Sequence, residues 1–114
     1  MNESVLTSIK KLLGLAEEYT PFDEDILVHI NSVFMNLRQL GVTSSDVYIR
    51  DSYTKWPDVI SDIENLALVK SYVYLKVRLI FDPPASNVEA SFTRAIQEME
   101  WRLVAQKEVE LFHG

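Results

Sequence analysis

The stretch Ile63–Phe81, IENLALVKSYVYLKVRLIF, constrains this chain more than any other. Its polar positions Asn65, Lys70, Ser71, Lys76 and Arg78 never cluster. At a helical repeat, Ile63, Leu66, Val69, Val73, Val77 and Ile80 share one broad face, and Leu68, Tyr72, Leu75 and Leu79 share a second. A helix that is apolar on two sides has to be covered on two sides, which places it at the centre of a bundle. The alternation in Leu75–Leu79 also suits a strand, but strands seldom exceed ~10 residues and nothing interrupts this run before Asp82. Pro83 and Pro84 then end it, because proline lacks an N–H and clashes with the preceding turn. Glu64, Lys70, Lys76 and Arg78 make a membrane span too costly.

The flanking sequence reads as further helices around that rod. Asn2–Leu13 has an apolar stripe of Val5, Leu6, Ile9, Leu12 and Leu13, with Gly14 as its stop. Thr20-Pro21-Phe22-Asp23 predicts a helix start, with Thr20 as cap and Pro21 in the first turn. That helix runs to about Leu40, buries Ile26, Leu27, Ile30, Val33, Phe34, Leu37 and Leu40, and closes on Gly41 and Val42. Val42–Pro57 is irregular, with turn chemistry at Thr43–Asp46. Val47-Tyr48-Ile49 is either an extended loop or a strand that pairs with another subunit. Trp56-Pro57-Asp58 opens a helical turn that can run through Asp62 into the central helix. Asp82–Ala85 is a stiff hinge, and Ser86-Asn87-Val88-Glu89 has the spacing of a capping box. The last helix extends to about Leu111, with Val88, Phe92, Ala95, Ile96, Met99 and Leu103 along its buried stripe. At ~1.5 Å per residue it is nearly as long as a domain of this size, so one end projects or meets another chain. The expected fold is all-α: one domain over residues 1–114, about four helices around a buried central one, and an irregular loop at 42–57.

Few residues invite chemistry. His29 and His113 have no second ligand at metal spacing, and there is no cysteine in the 114 residues. His29 is expected to be a partly exposed helical residue. Asp58 and Asp62, four apart, leave a magnesium-dependent hydrolase as an alternative, but paired carboxylates on two facing helices are missing. No phosphate-binding glycine loop or nucleophile elbow occurs. A net charge of −6 and dispersed lysines and arginines argue against general nucleic-acid binding. Met1-Asn2-Glu3-Ser4 lacks the basic start of a signal peptide. No catalytic residue, cofactor or metal ligand is therefore expected. Trp56 and Trp101 are either core or interface anchors, and Trp101 is the better anchor because it lies off the buried stripe.

Taken together, several features carry a resemblance. They are the helix ending in Leu-Gly, Tyr19–Asp23, Leu37-Arg38-Gln39-Leu40-Gly41-Val42, the isolated Trp56, Val69–Leu79, Phe81-Asp82-Pro83-Pro84 and Glu98-Met99-Glu100-Trp101-Arg102-Leu103. Over nearly its whole length the chain resembles the small head–tail connector (head-completion adaptor) family of long-tailed bacteriophages and prophages of Gram-positive bacteria. The resemblance implies a helical, non-enzymatic virion protein at the head–tail interface, assembled in the host cytoplasm. Such proteins form a ring under the portal, here expected to hold about twelve copies. They extend the DNA exit channel without binding DNA specifically, and dock the next connector or tail protein. It implies interface roles for Trp56, Phe81, Asp82, Pro83, Pro84, Trp101 and Arg102. It also leaves loop 42–57 free to reorder on assembly. The alternative is a helical adaptor or regulator that binds another protein through its C-terminal helix.

Overall fold

Ser4 starts the first helix: its Oγ accepts the Thr7 N–H at 3.2 Å, and α1 (Val5–Leu12) follows. The computed structural model describes residues 3–43, 47–60 and 65–113, with side chains as far as Gln106. Four further helices lie among them: α2 (Asp23–Gln39), the single turn α3 (Trp56–Val59), α4 (Leu66–Phe81) and α5 (Ser86–His113). No strand occurs among the described residues, and the all-α bundle read from the sequence is what forms. No described helix is long and apolar enough to cross a membrane.

Both glycine stops work by one geometry. Gly14 and Gly41 have φ of 83° and 81°, in the left-handed region. After α1, Leu15 N–H reaches Lys10 C=O and Gly14 N–H reaches Lys11 C=O; after α2, Val42 reaches Leu37 and Gly41 reaches Arg38. These are paired Schellman bonds, which satisfy carbonyls that a helix end leaves open.

Two expected helix starts differ. Thr20 does not cap α2. Its carbonyl accepts the Asp23 N–H at 3.1 Å, and Phe22 holds φ −103°, ψ 4°. Thr20–Asp23 is thus a type I turn with proline at its favoured second position, and the helix begins only at Asp23. Nor does Ser86 form a capping box with Glu89. Ser86 is already helical, and the Glu89 N–H is taken by the Ala85 carbonyl at 2.8 Å. The turn α3 also stands apart from the central helix, because Ile60 is extended (φ −125°, ψ 114°). Ile63 and Asp62 lie outside the described residues, as do residues 44–46, where turn chemistry is expected.

Helix α4 is central. It packs against α2 on one side and α5 on the other, with α1 lying across α2 and α4. Val69, Tyr72, Val73 and Val77 are fully buried. The expected buried faces hold except at their ends: Ile80 is 56% exposed, and so is Leu12 of α1 at 45%. Residues Val5, Leu6 and Ile9 of α1 join Ile26, Ile30, Val33, Phe34 and Leu37 of α2, Ile49, Trp56 and Ile60 in the same core. Among the described side chains of α5 only Ile96 and Leu103 are buried, while Val88 of its expected stripe is 40% exposed. Its 28 residues make ~42 Å of helix, close to the 45 Å length of the molecule.

One buried charge was not legible from the stripe. Lys10 is 2% exposed; its Nζ donates to the Glu17 carbonyl at 2.8 Å and pairs with Asp23 Oδ1 at 2.9 Å. It ties the end of α1 to the first residue of α2 across the connector. Removing one partner of such a pair is costly because it strands the other charge. Asp23→Asn, which leaves a buried ammonium, should cost roughly 2–3 kcal/mol, whereas Lys10→Met, which leaves a partly solvated carboxylate, should cost about 1 kcal/mol. Urea unfolding of the two variants checks the order. Gly14→Ala should cost about 1 kcal/mol although open space surrounds the site, and Gly14→Asn less, because the penalty is backbone strain rather than crowding.

Candidate functional site

The seven residues singled out in the sequence fall in three places. Trp56 lies in the core. It is 1% exposed, its Nε1–H donates to Ser8 Oγ at 2.7 Å, and its ring sits 6.2 Å from that of Phe34. It offers no surface to a second chain. Its role is to fasten the α3 turn to α1 and α2. Adjacent backbone bonds do the same, from Val5 N–H to Thr54 C=O and from Trp56 N–H to Glu3 C=O.

Phe81, Asp82, Pro83 and Pro84 form a braced corner. The Phe81 ring meets Phe22 edge-on at 5.4 Å, and Phe22 meets Tyr19 at 5.8 Å. The connector before α2 and the hinge after α4 are thereby joined. Arg78 completes the brace. Its Nε donates to the Asp82 carbonyl at 3.0 Å, and Nη1 to the Tyr74 hydroxyl at 3.0 Å. Its guanidinium also lies 5.8 Å from the centre of the Phe92 ring on α5. One side chain therefore holds the end of α4, the hinge and the start of α5. The Tyr74 hydrogen bond raises the affinity of Arg78 for its proton, so the brace stays charged.

Trp101 and Arg102 are far from that corner, some fifteen residues or about 22 Å along α5 from Ser86. Trp101 is 70% exposed and lies across the helix from the buried Ile96 and Leu103. Arg102 pairs with Glu98 at 2.7 Å on the solvent side. The ridge is anchored from behind by Tyr72 of α4. Its hydroxyl donates to Glu100 Oε2 at 2.7 Å, and Lys76 Nζ stands 5.4 Å from its ring centre.

A fourth feature was missed. Val28, Met35 and Tyr48 are 62%, 64% and 69% exposed, and line an open groove between the outer face of α2 and residues 47–50. The groove wall is fixed by Asn31. Its side-chain amide accepts the Ile49 N–H at 2.7 Å and donates to the Ile49 carbonyl at 2.9 Å. Val47–Ile49 is therefore an extended loop in this chain, pinned by one side chain in place of a partner strand. Val28 and Met35, seven apart and opposite the α2 stripe, are the signal that could have disclosed this face.

Among the described residues, no group of three acidic, histidine or cysteine side chains could hold a metal ion. Asp58 accepts the Lys55 N–H at 2.9 Å and so serves as a local cap; Asp62 lies outside the described residues. His29 is half-buried within α2, as expected. What the arrangement offers is surfaces: a rigid corner, an exposed tryptophan ridge and an apolar groove.

Burial, with the Glu100 hydrogen bond second, pushes the Tyr72 phenol well above its usual pKa. A raised acid pKa stabilises the fold below the unfolded value of about 10 and loses that contribution as pH climbs beyond it. Tyr72→Phe should cost about 1.5 kcal/mol at neutral pH and flatten the loss of stability above about pH 10, as read by thermal melts across pH.

A family model described as phage connector protein matches residues 5–110. No curated protein matches the chain, and no solved structure does.

Proposed function

The chain belongs to the phage connector protein family, and from that premise we propose that it forms a ring beneath the portal, extends the DNA exit channel and docks the next connector or tail protein. The family gives it a structural role at the junction of head and tail in a bacteriophage virion. It also gives it other virion proteins as partners. Ring formation and the portal contact above it are the proposed part of that role.

The observation that carries this reading is the pair of unpartnered faces on opposite flanks of one rigid stack. Helix α4 separates α2 from α5. Met35 and Val28 point away from α4 on one flank, and Trp101 on the other. A subunit whose two sticky faces lie on opposite flanks cannot bring both against one partner in a two-fold dimer. It satisfies them head to tail, which closes into a ring when the rotation per step fits. The braced corner at Phe81–Pro84 keeps the angle between α4 and α5 fixed, and a fixed angle is what closure requires. The net charge of −6 suits a channel past which DNA slides without adhering.

The test is electron microscopy of the purified protein alone and mixed with its portal. Rings seated on the portal, with no change in DNA retention by a salt series on the isolated protein, are the expected outcome. Persistent monomers that leave the portal bare overturn it. Arg78→Ala, which unbraces the hinge while sparing both faces, should still bind the portal but give incomplete or irregular rings.

A further inference from the structure

We infer that residues 48–50 form an open strand edge on which an extended, acidic segment of the next virion protein pairs main chain to main chain. The inference rests on the docking role proposed above and names the contact that would perform it.

The edge follows from peptide geometry. Both the N–H and the C=O of Ile49 bond to the Asn31 side chain, at 2.7 and 2.9 Å. A residue that offers both groups to one side is extended, and Asn31 stands where a neighbouring strand would. No peptide bond here is cis, so each C=O opposes the N–H that follows it. The Tyr48 C=O and the Arg50 N–H therefore point away from Asn31. Neither has a hydrogen-bond partner among the described residues. Exposure alternates as on a strand with one face against a core: Tyr48 and Arg50 are exposed, and Ile49 between them is buried. The same segment already takes a second piece of main chain a few residues on. There the Val5 N–H donates to the Thr54 C=O at 3.0 Å, and the Trp56 N–H to the Glu3 C=O at 3.3 Å.

An acceptor and a donor that flank one extended residue are matched by one residue of a parallel strand or two of an antiparallel one. Exposed edges of this kind recruit extended peptides. This chain has no described extended segment to spare, because Glu3–Val5 is already engaged with 54–56. Pairing of 48–50 with itself would make a two-fold contact, which closes no ring. The added strand therefore comes from a different protein. Its charge follows from Arg50. The guanidinium lies 5.7 Å from the centre of the Tyr48 ring and meets no carboxylate among the described residues. A carboxylate across the pair from Arg50 stabilises the added strand, and a basic residue there destabilises it.

Residue-resolved amide hydrogen exchange on the wild-type chain reads this edge directly. In the free protein the Ile49 amide should be protected by Asn31, and the Arg50 amide should exchange as in an open chain. In a connector assembled on its portal with the tail-side protein bound, the Arg50 amide should slow by about a hundredfold or more. With the portal alone it should not slow. Arg50→Pro removes that N–H, and the extended Ile49 before it tolerates a proline. This variant should still seat on the portal but fail to hold the tail-side protein. Arg50→Ala keeps the N–H and loses only an exposed charge, so it should weaken that binding by about fivefold at most. An Arg50 amide already protected in the free chain, or equally fast with and without the tail-side protein, overturns the inference and leaves the connector reading standing. Slowing on the portal alone, or an Arg50→Pro connector that holds the tail-side protein as wild type does, has the same consequence. A wild-type chain that seats on no portal or takes no tail-side protein overturns the docking role as well.

Discussion

The fold depends on one helix that is covered on two sides. Val69, Tyr72, Val73 and Val77 are all fully buried, and they look in two directions. Burying a side chain of this size is worth ~1.5–3 kcal/mol, so α2 and α5 are each held to α4 by a term that neither could supply to the other. Helix α5 illustrates the dependence. Among its described side chains it buries only Ile96 and Leu103, and its own sequence makes a poor amphipathic stripe. Its position is completed by directional contacts to α4, from Tyr72 to Glu100 and from Arg78 to the Phe92 ring. The central helix thus supplies the apolar surface, and its polar side chains set the orientation of what packs on it.

The same division appears where loops meet the core. Lys10 and Asn31 carry polar atoms to backbone groups of the loops, and Trp56 carries one to a side chain of α1. Lys10 closes the connector onto α2, the Trp56 indole closes α3 onto Ser8, and the Asn31 amide closes residues 47–50 onto α2. An unpaired buried amide or ammonium costs more than the hydrogen bond it replaces is worth, so each of these contacts is specified strongly. The irregular half of the chain is held by a few residues whose partners are distant in sequence. A helical repeat gives no warning of them.

That difference explains what the sequence disclosed. The rod at Leu66–Phe81, the glycine stops and the long last helix follow from local rules, so reading the chain found them. Thr20-Pro21-Phe22-Asp23 and Ser86–Glu89 were misread because a turn and a cap use the same residues. The competition is decided by which carbonyl lies nearest the amide, Thr20 for Asp23 and Ala85 for Glu89. The sequence favours Trp101 over Trp56 as an anchor because it lies off the buried stripe; the packing puts Trp56 inside, bonded to Ser8, and leaves Trp101 70% exposed. The groove at Val28, Met35 and Tyr48 went unseen because half of it is built by a segment eighteen residues from its anchor Asn31. The family itself was legible, since the spacings quoted for it run through most of residues 5–110.

A protein that works by geometry has to resist deformation where it is joined and expose what it joins with. The corner at Phe81–Pro84 meets the first demand. Two prolines stiffen it from within, Phe22 and Arg78 brace it from outside, and Arg78 remains charged at any pH a virion meets. In the proposed ring the two flanks would meet the second demand at a cost, since exposed apolar side chains on a free monomer invite unwanted association. The acidic surface offsets that hazard. With a net charge of −6 on 114 residues, like copies repel at distance, which in the proposed ring would leave close approach to the faces that pack.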